Sequence, residues 1–180
     1  MKLLGAVGAV AALLVVATVL LLGGGDVKRD PASAGKTIVD KSHRFALSYP
    51  ASGWNAVPAS GLAKVPSRPA AVLQRADRRA TVVVRSRAAL NSGLVQIARG
   101  LTPELKRRFS DFHPLSARIV RLAGGPALAY MFAGTRTGTV QTELVAPAQG
   151  RSFTVEAVAR GNDPRVAREV GAILRSFVAR

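Results

Sequence analysis

An unbroken run of uncharged residues near the amino terminus constrains this chain more than any other feature. The run covers Leu3–Leu22, twenty residues without an Asp, Glu, Lys or Arg. At about 1.5 Å rise per residue, twenty helical residues span roughly 30 Å, the thickness of the hydrocarbon core of a bilayer. Because backbone groups in lipid must pair within their own segment, the run predicts a transmembrane helix. We therefore expect residues 1–25 to be an N-terminal transmembrane signal anchor.

Three features indicate that this anchor is retained. The run is longer than the apolar core of a cleaved signal peptide, which usually has about 7–15 residues. The motif Ala32–Ala34, which resembles a cleavage site, lies ten residues beyond Leu22. The chain contains no cysteine, so a lipid attached to a cysteine cannot be the anchor. We therefore expect an uncleaved protein anchor.

Two features of the sequence disagree about the side of the membrane on which the domain lies. Lys28, Arg29 and Lys36 follow the apolar run, which by the positive-inside rule favours a cytoplasmic domain. In contrast, a two-residue tail before the apolar run is the ordinary layout of an exported signal anchor. We predict a single-pass protein of the cell membrane with an extracytoplasmic C-terminal domain, and the reverse orientation stays open.

The chain is strongly basic, with a formal net charge of +16 over 180 residues. A field of this sign attracts polyanions such as anionic lipid headgroups or acidic envelope polymers. The aromatic side chains that interleave with cations in a nucleic-acid stacking surface are missing, which argues against nucleic acid as a partner. An evenly basic, Arg-rich surface without a dedicated partner is the alternative interpretation.

Breaker residues and hydrophobic periodicity divide the rest of the chain. Residues 26–40 are poor in large apolar side chains and predict a flexible linker, and residues 41–180 predict one folded domain. Within the domain, alternation of apolar and polar residues between turn signals predicts strands. The predicted strands cover residues 43–49, 70–75, 81–87, 116–122, 127–133, 139–146 and 152–159, and residues 59–69 predict a loop.

Two segments of the domain have helical periodicity instead. Apolar residues recur at three- and four-residue spacing from Leu94 to Phe109, with Asn91 or Ser92 as the expected cap and a restart expected at Thr102–Pro103. The closing segment begins with Asp163–Pro164, an expected N-cap followed by proline at the first helical position. Its expected apolar face consists of Val166, Val170, Ile173, Leu174 and Phe177. The element order predicts an α+β fold in which one antiparallel sheet packs against helices.

Residue types that carry catalysis or metal binding are scattered in this sequence. His43 and His113 have no partners at ligand spacing, so both are interpreted as surface or structural residues. The acidic residues are single, and Glu143 and Glu156 on predicted strands are expected to face solvent or to bridge to an arginine. The basic cluster Lys106–Arg108 predicts a solvated helix flank. We therefore predict no enzymatic activity, no cofactor, and no catalytic, cofactor-binding or metal-binding residues.

The stretch Phe45–Trp54, FALSYPASGW, resembles the opening of the PsbP-like/DcrB-like α/β sandwich family, in which an alternating strand ends in a Pro-x-x-Gly-Trp turn. A long helical segment, a four-strand meander with a Gly-Gly-Pro-Ala turn, and a terminal helix ending at Ile173–Phe177 continue the order of that family. The resemblance covers about Lys41 to Arg180. It implies a PsbP-like fold and a non-catalytic binding or assembly role, with no catalytic residues to carry over. Pro50 and Trp54 are interpreted as turn and core residues.

These features predict a membrane-anchored extracytoplasmic binding or assembly module without catalytic activity, with an envelope protein as its partner. The alternative is a basic module that binds anionic lipid headgroups or acidic envelope polymers. A third hypothesis is an enzyme with a site assembled from dispersed polar residues.

Overall fold

The computed structural model describes residues 35–40, 44–58 and 69–179. The predicted transmembrane run, most of the predicted linker and nearly all of the predicted loop at 59–69 lie outside these ranges. Among the helices within them, none is long and apolar enough to cross a membrane. The anchor therefore stays a prediction from the sequence.

Ten strands and two helices make up the described part of the chain. The strands are β1 (Gly35–Val39), β2 (Phe45–Pro50), β3 (Trp54–Ala56), β4 (Ala71–Arg75), β5 (Ala80–Ala88), β6 (Phe112–Leu122), β7 (Gly125–Gly134), β8 (Thr139–Ala148), β9 (Arg151–Arg160) and β10 (Val178–Ala179). The helices are α1 (Leu94–Arg108) and α2 (Pro164–Arg175). Each predicted strand has an observed counterpart, and most counterparts extend a few residues further.

The strands form two antiparallel sheets, where the sequence predicts one. The larger sheet has seven strands in the order β3-β4-β5-β9-β8-β7-β6, and the smaller sheet has the order β1-β2-β10. The larger sheet contains the predicted four-strand meander, β6 to β9. The smaller sheet depends on β1, which lies in the predicted linker, and on β10, which is too short to show a sequence pattern. The α+β class is confirmed, and the single sheet is corrected to two.

β1 occupies the end of the stretch predicted as flexible linker. Its residues pair with β2, from Gly35 opposite Pro50 to Val39 opposite Ala46. The folded part therefore begins before the predicted boundary at residue 41. Most side chains of β1 are exposed, so backbone pairing with β2 contributes more than side-chain burial to holding the strand.

α1 continues through the point where the sequence predicts a restart. The helix runs without interruption over Leu94–Arg108, with Pro103 inside it. Proline removes the hydrogen bond to the carbonyl of Arg99, but both residues are exposed, so water can satisfy that carbonyl. The apolar face stays in phase across the proline, because Leu101 and Leu105 are both buried. Packing of this face on the sheet outweighs the local preference for a break.

The two helices begin in different ways. Asp163 is the N-cap of α2 and accepts a hydrogen bond from the backbone N–H of Arg165 at 2.9 Å, as the sequence predicts. α1 begins after Gly93, which makes no side-chain cap hydrogen bond, so the predicted caps Asn91 and Ser92 are wrong.

The larger sheet carries a buried core on each face. On what we call the first face, the sheet packs with α2 and the smaller sheet around Phe45, Phe153 and Phe177. The ring centroids of these three residues lie 5.6–5.9 Å apart. Phe177 is fully buried as predicted, but it lies beyond the end of α2 rather than on its face. On the second face, α1 packs on β6 and β7 over Tyr130 and Phe132.

Candidate functional site

The second face of the larger sheet is only partly covered by a helix in the described residues. α1 packs on β6 and β7, at one side of the sheet. Beside it, β5, β8 and β9 present half-buried side chains that are partly apolar and partly polar. We call this surface the mixed face, and its residues are Thr81, Val83, Arg85, Gln141, Glu143, Glu156 and Val158.

Two carboxyl groups lie side by side at the centre of the mixed face. Glu143 on β8 and Glu156 on β9 are direct partners in the antiparallel register. Side chains at such positions have Cβ atoms about 4.5–5.5 Å apart, and like charges there repel each other. The interpretation of the acidic residues as single is therefore wrong for this pair.

The two carboxyl groups have different surroundings. Arg85 on β5 places its Nε 3.4 Å from Oε1 of Glu156, so Glu156 forms the bridge to an arginine that the sequence predicts. Burial raises the pKa of Glu143 to about 7, and the neighbouring charge of Glu156 adds to that shift. Close to neutral pH, Glu143 therefore exchanges between the protonated and the ionised form.

A small crevice lies between the C-terminal end of α1 and this carboxyl pair. It is lined by Arg108, Phe109 and Phe132 on one side and by Gln141, Glu143, Glu156 and Val158 on the other. Its volume is about 30 Å³, which is room for one water molecule. Small-molecule sites usually have about 300–1,000 Å³, so the crevice is too small to enclose an organic ligand.

A second polar cluster, on the first face, connects two strands of the larger sheet with α2. The carboxylate of Glu169 on α2 accepts hydrogen bonds from Nε1 of Trp54 and from Nε of Arg75, both at 2.9 Å. Burial acts to raise the pKa of Glu169, but these hydrogen bonds outweigh it and hold the pKa below its ordinary value. Trp54 is 1% exposed, which confirms its interpretation as a core residue. The cluster joins β3, β4 and α2, so its role is structural.

The other residues considered for chemistry lie apart from one another. His113 is exposed, with its Nδ1 3.3 Å from the carbonyl of Asp111, and His43 lies outside the described residues. The carboxylate of Asp111 accepts hydrogen bonds from the backbone N–H groups of Arg136 and Thr137, so it holds a turn. In the described ranges, no group of three or more His, Cys, Asp or Glu residues could hold a metal ion.

Comparison with known proteins shows the fold. No family model and no curated protein sequence matches the chain. The solution structure of cyanobacterial PsbP from Synechocystis sp. PCC 6803 superposes with a TM-score of 0.62 at 11% identity, over 87% of this chain and 98% of that one. The predicted resemblance to the PsbP-like family is therefore confirmed as a PsbP-like fold.

Two further solved structures share this fold. The Saccharomyces cerevisiae Ran-binding protein Mog1p superposes with a TM-score of 0.58 at 12% identity, over 82% of this chain and 96% of that one. A Pseudomonas aeruginosa protein of unknown function, described as a putative regulator, superposes with a TM-score of 0.51 at 13% identity, over 81% of this chain and 97% of that one. At these identities the likeness concerns the backbone fold.

Proposed function

We propose that this protein is a non-catalytic binding module anchored to the membrane by Leu3–Leu22. Its domain lies outside the cytoplasm and binds an envelope protein through the mixed face. The half-buried, mixed character of that face is the observation that carries the proposal.

The chemistry of the mixed face suits a protein partner better than a small molecule. The cores of protein–protein interfaces combine apolar contacts with a few placed polar groups, as Val83 and Val158 do with Arg85 and Gln141 here. The adjacent crevice has room for a water molecule of about 30 Å³ and for little else. A recess of about 370 Å³ borders the mixed face at Thr81 and Val158, but arginines of the adjoining turns line much of it. The rest of the face is a broad surface, which is expected to bind another surface.

The fold gives independent support. Mog1p is named as a Ran-binding protein, so at least one protein with this fold binds a protein. Fold alone does not identify the partner. What the fold supports is the class of function.

Site-specific photo-crosslinking in cells tests the binding surface. A photoreactive residue at Thr81 or Val83 on the mixed face is expected to give a defined crosslinked product. The same residue at Val95, which is 54% exposed on α1, is the matched control and is expected to give none. Arg85→Glu is expected to abolish the product at Val83 without unfolding the domain. Equal crosslinking at all three positions, or none at the mixed face, would refute the proposal.

A reporter fused after Arg180 tests the location. An enzyme that is active only outside the cytoplasm is expected to be active in this fusion, and a cytoplasm-specific reporter is expected to be inactive. The opposite pair of results would place the domain in the cytoplasm and leave the binding surface to be judged on the crosslinking alone.

A further inference from the structure

One end of the larger sheet gathers several separate turns into a continuous rim. The turn at residues 76–79 joins β4 to β5, and the N–H of Arg160 at the end of β9 bonds to the carbonyl of Arg79 at 2.8 Å. The N–H of Gly161 bonds to the carbonyl of Gly138 at 3.0 Å, and the N–H of Thr135 bonds to that of Asp111 at 3.4 Å. These bonds connect the turns before β5, β6 and β8 with the loop before α2. We call this rim the basic end.

Exposed cations dominate the basic end. The turns contribute arginines, and the C-terminal turn of α1 lies beside them because it leads into β6. The side chains in question are Arg78, Arg79, Lys106, Arg107, Arg136 and Arg160, all exposed. The side chains of Arg78, Lys106, Arg107 and Arg160 make no hydrogen bond or ion pair with a described residue. Their charges are therefore available to an external anion.

The acidic residues of the basic end are engaged within the domain. Asp77 accepts a hydrogen bond from the N–H of Arg79 at 3.0 Å and also pairs with Arg75. Asp163 caps α2, with a hydrogen bond of 2.9 Å from the N–H of Arg165. Internal pairing of these carboxylates leaves the rim with a positive surface. A field of this kind attracts anionic surfaces within about a Debye length, roughly 8 Å in physiological salt.

The backbone of Arg78 is an independent sign that a cation matters at this position. Arg78 has φ of 59°, and it is the non-glycine residue with positive φ in the described ranges. Glycine or asparagine adopts this conformation at lower cost, because a Cβ crowds the backbone in the left-handed region. The chain therefore carries an arginine at the tip of an exposed hairpin, where its conformation is unfavourable and its side chain makes no hydrogen bond or ion pair with a described residue.

The chain enters the described domain on the side of the basic end. Gly35, the first described residue, lies opposite Pro50 in the sheet register. Three residues after Pro50, the carbonyl of Gly53 accepts a hydrogen bond of 2.9 Å from the N–H of Ala76 in the basic end. Only residues 23–34 separate Gly35 from the predicted anchor. A short connection of this kind keeps the basic end close to the plane of the membrane.

From these observations we propose that the basic end rests on the anionic headgroups of the membrane in which the chain is anchored. The phosphate groups of acidic lipids occupy the rim around Arg78 and Arg160, and the mixed face is held to the side, away from the bilayer. The inference rests on the anchor of the proposed function and adds the orientation of the domain on the membrane.

Single cysteines allow this orientation to be measured, since the natural chain has none. Asn162→Cys places a fluorophore in the basic end, and Gln149→Cys places one in the β8–β9 turn at the opposite end of the sheet. The two positions are about 30 Å apart, because β9 is ten residues long at about 3.3 Å per residue. The full chain is reconstituted into vesicles of phosphatidylcholine alone or mixed with phosphatidylglycerol, with a quencher on the lipid headgroup.

In vesicles with phosphatidylglycerol, quenching is expected to be strong at position 162 and weak at position 149. High salt is expected to remove the difference. The double variant Arg78→Gly with Arg160→Gln is expected to lower the ratio of docked to undocked domain about fivefold per cation removed. Arg118→Gln with Arg121→Gln removes two exposed cations from β6 and is expected to leave the ratio unchanged. Because glycine suits the backbone at position 78, misfolding does not explain the effect.

Three results would overturn the inference. One is equal quenching at the two positions with phosphatidylglycerol, and another is a difference that persists unchanged in pure phosphatidylcholine or in high salt. The third is loss of docking in the control pair to the same extent as in the basic-end pair. If soluble polyphosphate protects position 162 while the lipid composition has no effect, the basic end binds an acidic polymer and the inference is wrong.

If residues 3–22 do not anchor the chain in the membrane, the outcome differs from all three results above. A chain without a membrane anchor does not float with vesicles of pure phosphatidylcholine, whatever the state of the basic end. Salt-sensitive flotation with phosphatidylglycerol alone would then support the basic end and refute the anchor.

Discussion

The two faces of the larger sheet are built differently. The first face is closed by α2 and the smaller sheet, and its centre is the cluster of Phe45, Phe153 and Phe177. The second face is covered by α1 over β6 and β7, and beside α1 it carries Glu143, Glu156 and Arg85 among apolar side chains.

Because of this difference, we expect the first face to contribute mainly to stability and the mixed face mainly to binding. A closed apolar face contributes free energy of folding in proportion to the area it removes from water. Ionisable groups in a half-buried position reduce that contribution, and natural proteins keep them mainly where they serve a function. We therefore expect substitutions on the first face to unfold the domain, and substitutions on the mixed face to alter its pH dependence and its binding.

The largest effect is expected at the centre of the first face. Phe177→Ala should lower the free energy of unfolding by about 3–5 kcal/mol, because a fully buried ring is lost. Trp54 is the single tryptophan of the chain, so its fluorescence follows denaturant unfolding of the detergent-solubilised protein. Phe109→Ala on the second face, where the ring is half-buried, should cost about half as much. Equal losses would remove the proposed difference between the faces.

Glu169 tests the polar cluster of the first face. Glu169→Gln should cost about 2 kcal/mol at neutral pH, because Arg75 and Trp54 lose a charged acceptor. The pKa of Glu169 is lowered by folding, so its contribution is present above the ordinary value of 4.5 and is lost as the pH falls through the lower folded value. Urea unfolding between neutral and acidic pH measures both effects.

Arg165→Ala is the matched control for Glu169. The side chain of Arg165 is 74% exposed although its Nε lies 3.1 Å from the same carboxylate. Its removal should change the free energy of unfolding by less than about 0.5 kcal/mol. A loss as large as that of Glu169→Gln would mean that the exposed arginine, rather than the buried partners, carries the interaction.

Glu143 tests the second face through pH. Folding raises the pKa of Glu143 from 4.5 to about 7, so the folded state holds the proton more tightly than the unfolded chain. The contribution of protonated Glu143 to the free energy of unfolding is present in full below pH 4.5 and is lost as the pH rises through about 7. The natural protein should therefore lose about 2 kcal/mol of stability on this account between pH 5 and pH 8.

Glu143→Gln should flatten that pH dependence. Glu104→Gln removes an exposed carboxyl group on α1 whose charge adds less than burial or Glu156 to the raised pKa of Glu143, so it should flatten the pH dependence much less. The measurement is the urea midpoint across this pH range. If the urea midpoint of Glu143→Gln changed with pH as steeply as that of the natural protein, the carboxyl group of Glu143 would be better solvated than its position indicates.

A small effect of opposite sign is expected at the hairpin tip, which belongs to neither core. Arg78→Gly should raise the free energy of unfolding by about 0.5 kcal/mol, because relief of the left-handed conformation exceeds the entropy cost of glycine. Arg118→Gly, in the middle of the β6–β7 ladder, should lower it by about 1 kcal/mol. Destabilisation by Arg78→Gly would mean that the arginine makes a stabilising contact.

Local sequence patterns predict much of the fold. Alternation in β2, β5 and β9 and the turn residues of the meander predict the strands, since both depend on neighbours along the chain. The start of α2 at Asp163 follows from a cap that lies within two residues of its hydrogen-bond donor. Patterns failed where packing opposed them, as at Pro103, which α1 accommodates because Leu101 and Leu105 stay in contact with the sheet.

The carboxyl pair of the candidate site has a local signature in the sequence. Glu143 and Glu156 each lie five residues from Ala148 and Arg151, the pair that flanks the turn at Gln149–Gly150. A two-residue turn sets the register of the hairpin, so it predicts that the two carboxyl groups face each other. Their partner Arg85 lies on a strand about seventy residues away along the chain, and no local pattern predicts that neighbour.

The sequence by itself determined the elements that depend on contacts between near neighbours. These are the strands of the meander and the capped start of α2, while the transmembrane helix at Leu3–Leu22 stays a prediction. Tertiary structure alone decided the pairing of β1 and β10 with β2, the closure of the first face and the gathering of the turns into the basic end. Each of these joins segments that are distant in the chain, and the free energy of such contacts depends on the whole packed arrangement rather than on any local pattern.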